Sequence, residues 1–261
     1  MDKNELIRRV AIEPEDKILL ARVLDKMLEC ERKNIQTNTL FLNERERALA
    51  EKIIAAAGGA RFFVSGGFPG AERNVLIFLP DYLDEESADS PFSFVRAEFA
   101  KENELSHRDF LGALMGGGIK RETVGDILVG SGSCDIVLLN EILQYTLQNL
   151  ESAGRAKLSL SVIGAEELNV PQKKTQEIKD TVASMRLDSV VSSGFAMARG
   201  KAAELIKAGR VSLNHIECCK PDREVAEGDV ISARGFGRVE VKEVGGQSKK
   251  GRTIIKLLKS I

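Results

Sequence analysis

The sequence predicts an α+β fold in three successive parts. Apolar residues recur at helical spacing near the N-terminus, the middle alternates short strand-like runs with two amphipathic segments, and the last third ends in glycine-punctuated strands. At 261 residues the chain is long enough for two or three compact units. The pattern places a mainly helical domain with a hairpin at 1–79, a second domain at 80–168 and a third at 180–261.

In the first part, Pro14 suits an opening helical turn, and Glu15 and Asp16 suit the positive end of a helix. Ile18, Leu19, Val23, Leu24, Met27 and Leu28 then trace an apolar stripe toward Asn34. Asn43 followed by Glu46 predicts a capping box opening a helix that Gly58 and Gly59 stop. Strands are expected at 61–65 and 74–79, flanking the loop 66–73.

The middle part reads strand 93–99, helix 106–115, strands 125–129 and 134–138, helix 140–152 and strand 157–162. This βαββαβ order is ferredoxin-like and shared by RNA-recognition (RRM-like) folds, an association of fold alone. Gly130-Ser131-Gly132 runs into a strand, not a helix N-terminus, so it predicts a hairpin turn and no nucleotide loop. RRM domains stack bases on aromatics of their central strands. Neither 125–129 nor 134–138 contains an aromatic, which leaves Phe94, on the first strand, as the candidate stacking residue.

Charge is unevenly placed. Residues 172–261 carry 18 Lys+Arg against 11 Asp+Glu, although the whole chain is at −1. A basic terminal domain behind an acidic body suits a polyanion-binding module, or a lysine-rich solvated surface. Cys30, Cys134, Cys218 and Cys219 show no C-x-x-C spacing, and the two histidines are far apart. No zinc site, other metal or disulfide framework is expected. With no signal-peptide pattern and no apolar run of about 18 residues, no membrane partner and a cytoplasmic location are expected. The residues also assemble no Walker lysine, metal cluster or nucleophile–base pair, so neither catalysis nor a cofactor is expected.

The most specific signal lies near the C-terminus. Arg186-Leu187-Asp188 opens a helix, and Gly194, Arg199, Lys201-Ala202, Leu205-Ile206 and Gly209 follow at set offsets. Val211-Ser212-Leu213-Asn214 and Gly228-Asp229-Val230-Ile231 come next. This order over about residues 184–233 resembles the S-four-type (alpha-L) RNA-binding domain, named after small-subunit ribosomal protein four. Ala202, Leu205 and Ile206 share one helix face, while Arg199, Ala203 and Lys207 form a row beside it. With Arg186 and Arg210 they present cations suited to a phosphate backbone. Lys201 points away from that row, and Asn214 and Lys220 sit at its margin. Asp188 reads as a structural acceptor for the helix start or a neighbouring Arg. The S-four pattern usually has Ser before Arg199, whereas this chain has Ala198, so the helix start lacks a side-chain cap. If Leu187, Ala202, Leu205 and Ile206 hold the core, reversing the charges of Arg186, Arg199 and Arg210 should spare the fold. A secondary candidate surface comprises His107 and Arg108, together with Lys120 and Arg121 around Gly116-Gly117-Gly118. It reads either as a phosphate site built from backbone N–H groups and cations or as a turn with a solvated face.

Nearly the whole chain is similar to the bacterial YlmH family. The supporting stretches are Phe41-Leu42-Asn43-Glu44-Arg45, Gly66-Gly67-Phe68-Pro69, Ala71-Glu72-Arg73, Ser106 to Gly112, Gly118 to Glu122 and Gly125-Asp126-Ile127. Arg234-Gly235-Phe236-Gly237-Arg238 extends the likeness and adds Arg238 to the candidate RNA contacts. The resemblance implies a non-enzymatic RNA-binding protein with ribosomal RNA of the large subunit and tRNA as partners. Its implied task is ribosome-associated quality control: holding peptidyl-tRNA on an obstructed large subunit, alongside other quality-control factors. Two alternatives stay open, namely a targeting subunit of an RNA-modifying enzyme and a cell-division-linked adaptor using the acidic N-terminal half.

Overall fold

Helices α1 (Lys3–Val10) and α2 (Asp16–Lys33) are joined through a turn at Pro14 that one buried carboxylate organises. Asp16 accepts hydrogen bonds from the backbone N–H groups of Ile12 and Glu13, and from both Nη atoms of Arg45 on α3 (Glu44–Ala56). Asn43 caps α3 in the expected box: Glu46 N donates to its side chain, and Asn43 N donates to the Glu46 carboxylate. The buried stripe of α2 is Leu20, Val23, Leu24, Met27 and Cys30, rotated from the stripe that spacing suggests. Ile18 is 63% exposed, because α1 and α3 cover the flank centred on Leu20 and Leu24. Apolarity alone does not say which flank a neighbour takes. The computed structural model describes residues 2–171, 175–248 and 251–260, in two compact units, 1–171 and 172–261.

In the first unit, β1 (Thr37–Asn38), β2 (Phe62–Ser65) and β3 (Val75–Phe78) form an antiparallel sheet in the order β1-β3-β2. The expected βαββαβ order follows. Its elements are β4 (Phe92–Glu98), α4 (His107–Gly116), β5 (Val124–Val129), β6 (Ser133–Leu139), α5 (Leu143–Asn149) and, beyond a small hairpin, β9 (Ser159–Ile163). That hairpin pairs β7 (Ser152–Ala153) with β8 (Ala156–Lys157) and explains why the last strand starts later than the residue pattern suggests. The sheet order is β5-β6-β4-β9, with every neighbour antiparallel, as a ferredoxin-like sheet requires.

Both faces of this second sheet are covered. Val95, Ala97, Cys134, Ile136 and Leu138 pack beneath Phe110 and Leu114 of α4. On the opposite face Phe92, Phe94, Val137 and Leu139 pack against Phe41, Val75, Ile77 and Leu79 from the first sheet and its flanks. Phe94 is therefore core and offers no base-stacking surface. Further along that face, Arg96 makes a two-pronged pair with buried Asp135, both bonds at 2.7 Å. Asp135 also accepts from Asn169 N, and Arg96 donates to Glu167 O, so the segment leaving β9 crosses there.

In the second unit, β10 (Thr175–Val182), β11 (Val211–Leu213), β12 (Ile216–Glu217), β13 (Val230–Ala233), β14 (Gly237–Gln247) and β15 (Thr253–Ser260) form an antiparallel sheet. Its order is β10-β15-β14-β13-β11-β12. Helices α6 (Leu187–Gly194) and α7 (Arg199–Lys207) bury Leu187, Val190, Val191, Ala202, Leu205 and Ile206 against it. Gly194 is where α6 meets the sheet: a Cβ there would lie 3.1 Å from Val239 and 3.2 Å from Leu257. The stretch 169–174 reads in the sequence as a connector into the C-terminal domain, and its Gln172-Lys173-Lys174 lies outside the described residues. Strand β10 has no counterpart in the sequence reading. Most of its side chains are exposed, so hydrophobic alternation does not mark it.

The contact between the two sheets of the first unit leaves no room at Gly125, where a Cβ would lie 2.7 Å from the Phe41 ring and 3.1 Å from Val137. Gly125→Ala should destabilise this unit by about 1–3 kcal/mol through overpacking. Urea titration with a probe in the first unit would show the drop in midpoint, and an unchanged midpoint would contradict the tight contact.

Candidate nucleic-acid interface

The start of α6 is built from backbone before any cation is placed. Leu187 N donates to Arg223 O and Asp188 N to Pro221 O, which satisfies two of the open N–H groups of a helix N-terminus. The turn containing Lys220 is thereby held beside Arg186. Asp188 is buried and receives both neighbouring arginines: Arg186 at 3.3 Å through Nε and Nη2, and Arg199 Nη2 at 3.0 Å to each oxygen. Burial pushes the Asp188 carboxyl up, but hydrogen bonds and charge from Arg186 and Arg199 outweigh it and hold it below the usual carboxylate range. Asp188 is thus an acceptor for both arginines, whose side chains stay 43% and 48% exposed.

Along α7, Ala202, Leu205 and Ile206 are buried while Arg199 and Lys207 are exposed, as the helical row predicts. Ala198 makes no side-chain cap bond. Lys201 lies off the row, with Nζ 5.5 Å from the centre of the Phe236 ring. Phe236 packs on Phe195, and Lys259 Nζ sits 5.6 Å from that second ring. Cations and rings therefore alternate here, and neither Lys201 nor Lys259 is a simple solvated charge. Arg210 is exposed and donates to Arg234 O at 3.2 Å. Arg238 is half-buried on β14.

Asn214 serves the turn. With His215 it occupies positive φ between β11 and β12, and its side chain is engaged at both ends, donating to Asp229 and accepting from Val230 N. Its amide is spent on local structure.

The middle candidates are not brought together. His107 and Arg108 occupy the first turn of α4, whereas Lys120 and Arg121 follow its other end, about 15 Å away at 1.5 Å per residue. The glycine N–H groups are also spoken for: Gly117 N donates to Ala113 O and Gly118 N to Met115 O, closing the helix. A phosphate cradle of backbone N–H groups at 116–118 is therefore ruled out for those two groups. Lys120 is exposed, but Arg121 turns inward, donating to Val124 O and Gly125 O. There it meets Arg73, which the sequence marks as part of a motif and not as a binding residue. Only the fold, which brings the 66–73 loop onto β5, reveals that neighbour. Among the described residues no cluster of His, Cys, Asp and Glu fits a metal ion, and no helix is long and apolar enough to cross a membrane.

Two family models match the chain: "Putative RNA-binding domain in YlmH" over residues 92–167 and the S4 domain over residues 185–231. A Bacillus subtilis (strain 168) protein named "Ribosome-associated protein quality control protein P2" is 35% identical over 215 residues, covering 82% of this chain and 83% of the relative. The chain belongs to the YlmH family. Among solved structures, "Cell division protein ylmH from Streptococcus pneumoniae" aligns with a TM-score of 0.52 at 24% identity. That alignment covers 62% of this YlmH family member and 98% of the other chain, and it supports the fold. Two RNA-binding domains are thus present in one α+β chain, and the S-four match includes Arg186, Asp188, Arg199, Lys207 and Arg210.

Because the folded Asp188 carboxyl titrates below its unfolded value, its contribution is complete above the unfolded pKa and fades as pH falls through the folded one. Asp188→Asn should therefore cost on the order of 2 kcal/mol at pH 7. The gap from wild type should close in the acid range below the ordinary carboxylate pKa. Denaturant titrations of both proteins across pH would check this, and a gap independent of pH would exclude the ion-pair role.

Proposed function

We propose that this protein binds RNA on the ribosome without catalysing a reaction, and that it holds peptidyl-tRNA on an obstructed large subunit during quality control of stalled nascent chains. The observation that carries the proposal is the Asp188-braced cationic face of α6 and α7, lying within the S-four match. The name of the B. subtilis relative supports the ribosomal setting. One carboxylate orients two half-exposed arginines while leaving them net positive, and Lys207, Arg210 and Lys220 extend the charge. Such a surface recognises a phosphate backbone by position and charge. In this reading, 180–261 anchors the protein on ribosomal RNA of the large subunit, while 1–79 and 80–168 act toward tRNA and other quality-control factors. The site of action is the cytoplasm.

The Asp188 pairs correct the charge-reversal test that sequence alone suggests. Arg186→Glu or Arg199→Glu would set a new carboxylate beside a buried one, so loss of binding in such a variant would be confounded by unfolding. Lys207, Arg210 and Lys220 make no contact with Asp188. Replacing these three with Glu should leave the melting temperature near that of wild type and strongly reduce co-sedimentation with large subunits. Five cations less one carboxylate amount to about four neutralised phosphates, so the wild-type log–log salt slope should be roughly −3 to −4. Binding by the triple variant with an unchanged slope would remove this face from the RNA contact.

A further inference from the structure

Arg73 and Arg121 meet over a single backbone oxygen in the first unit. Arg73 Nε and Arg121 Nη1 both donate to Val124 O, at 3.1 and 2.6 Å, which holds two guanidinium groups side by side. Arg73 Nη2 donates further to Phe41 O, and Arg121 Nη1 to Gly125 O. The carboxylates that act on them electrostatically have partners of their own. Asp126 accepts from Glu72 N and Arg73 N, Glu122 pairs with Arg22 at 2.8 Å, and Glu46 closes the α3 cap. Burial pushes the Arg121 guanidinium down to about 10, and the adjacent Arg73 charge adds to the effect. Burial lowers Arg73 as well. Both remain charged at neutral pH, so two like charges are held side by side.

Among the described residues, Arg73 Nη1 and the Nε and Nη2 atoms of Arg121 have no hydrogen-bond partner, and none of them is sealed from solvent. Both residues line an open groove of about 930 Å³. Ile18, Leu19 and Leu40 give it an apolar wall, to which the exposed Ile18 contributes. Six carboxylates, Glu15, Asp25, Glu29, Glu46, Glu122 and Glu141, stand on the same lining, so a run of phosphates would be repelled and only a single anionic group held directly by the arginine pair would be admitted. The matched RNA-binding region, 92–167, includes Arg121, yet the aromatic side of its sheet is buried under the first sheet. RNA contact by this region must therefore use another surface, and the Nε–Nη2 edge of Arg121 is a fork matched to phosphate geometry, with Arg73 Nη1 as a further donor.

We propose that Arg73 and Arg121 form a receptor for one phosphate of single-stranded RNA, with the attached nucleoside lying along Ile18, Leu19 and Leu40. This rests on the RNA-binding reading above and gives the first unit a site separate from the α6–α7 face. A fluorescein-labelled RNA hexanucleotide, titrated by anisotropy against the full chain, tests it. Arg121→Gln should weaken binding by at least about fivefold. Arg121→Lys, which keeps the charge and loses the fork, should fall between that variant and wild type. The Lys207/Arg210/Lys220→Glu protein should show the same fold-loss when Arg121→Gln is added. Phenylglyoxal modification of wild type guards against an unfolded variant: bound oligonucleotide should protect Arg73 and Arg121. If Arg121→Gln binds the oligonucleotide like wild type, or both arginines stay unprotected, the inference falls while the α6–α7 reading stands. Protection by a carboxylate-bearing peptide in place of the oligonucleotide would also overturn it. Failure of wild type to bind either the oligonucleotide or large subunits would overturn both.

Discussion

The first unit depends on burying both faces of one four-stranded sheet. The helices take one side, and Phe41, Val75, Ile77 and Leu79 take the other, closing over Phe92, Phe94, Val137 and Leu139. Each of these large side chains brings on the order of 2 kcal/mol of hydrophobic stabilisation when fully buried. That gain is incompatible with splaying bases across the same strands. A sheet of RRM-like order has here become a packing surface on both faces.

The second unit solves a different problem, that of presenting cations without losing their direction. Arg186 and Arg199 come from the start of one helix and the start of the next, and each alone would sweep a wide cone. A buried carboxylate between them fixes the guanidinium planes, and the turn at Pro221 to Arg223 fixes the carboxylate by accepting from the backbone N–H groups of Leu187 and Asp188. The result is a cationic surface whose geometry is stored in an acid. Rotamer freedom that RNA binding would otherwise have to remove is already restricted.

Legibility followed the origin of each signal. The Asn43–Glu46 cap, the βαββαβ order and the buried row Ala202, Leu205, Ile206 were all readable because local periodicity and capping chemistry specify them. Strand β10 was hidden because an edge strand with an exposed face carries no alternation. The α2 stripe was misplaced by a fraction of a turn because apolar spacing does not say which flank α1 and α3 cover. Asn214 looked available but is held by Asp229 and Val230, contacts across 15 residues that spacing does not announce. Arg73 and Arg121 became a pair only in three dimensions, through Val124 O.

The pairing of β10 with β15 bears on how the second unit comes into being. Thr175 lies opposite Ser260 and Val182 opposite Thr253, so the strand that enters the sheet first in sequence waits for the last described strand to reach its place. Closing so long a loop loses chain entropy before any hydrogen bond returns it, which slows folding of such topologies. During synthesis α6 and α7 are finished well before the sheet that covers their apolar face. A nascent chain of this protein thus carries an uncovered Leu187, Leu205 and Ile206 surface until β14 and β15 have emerged.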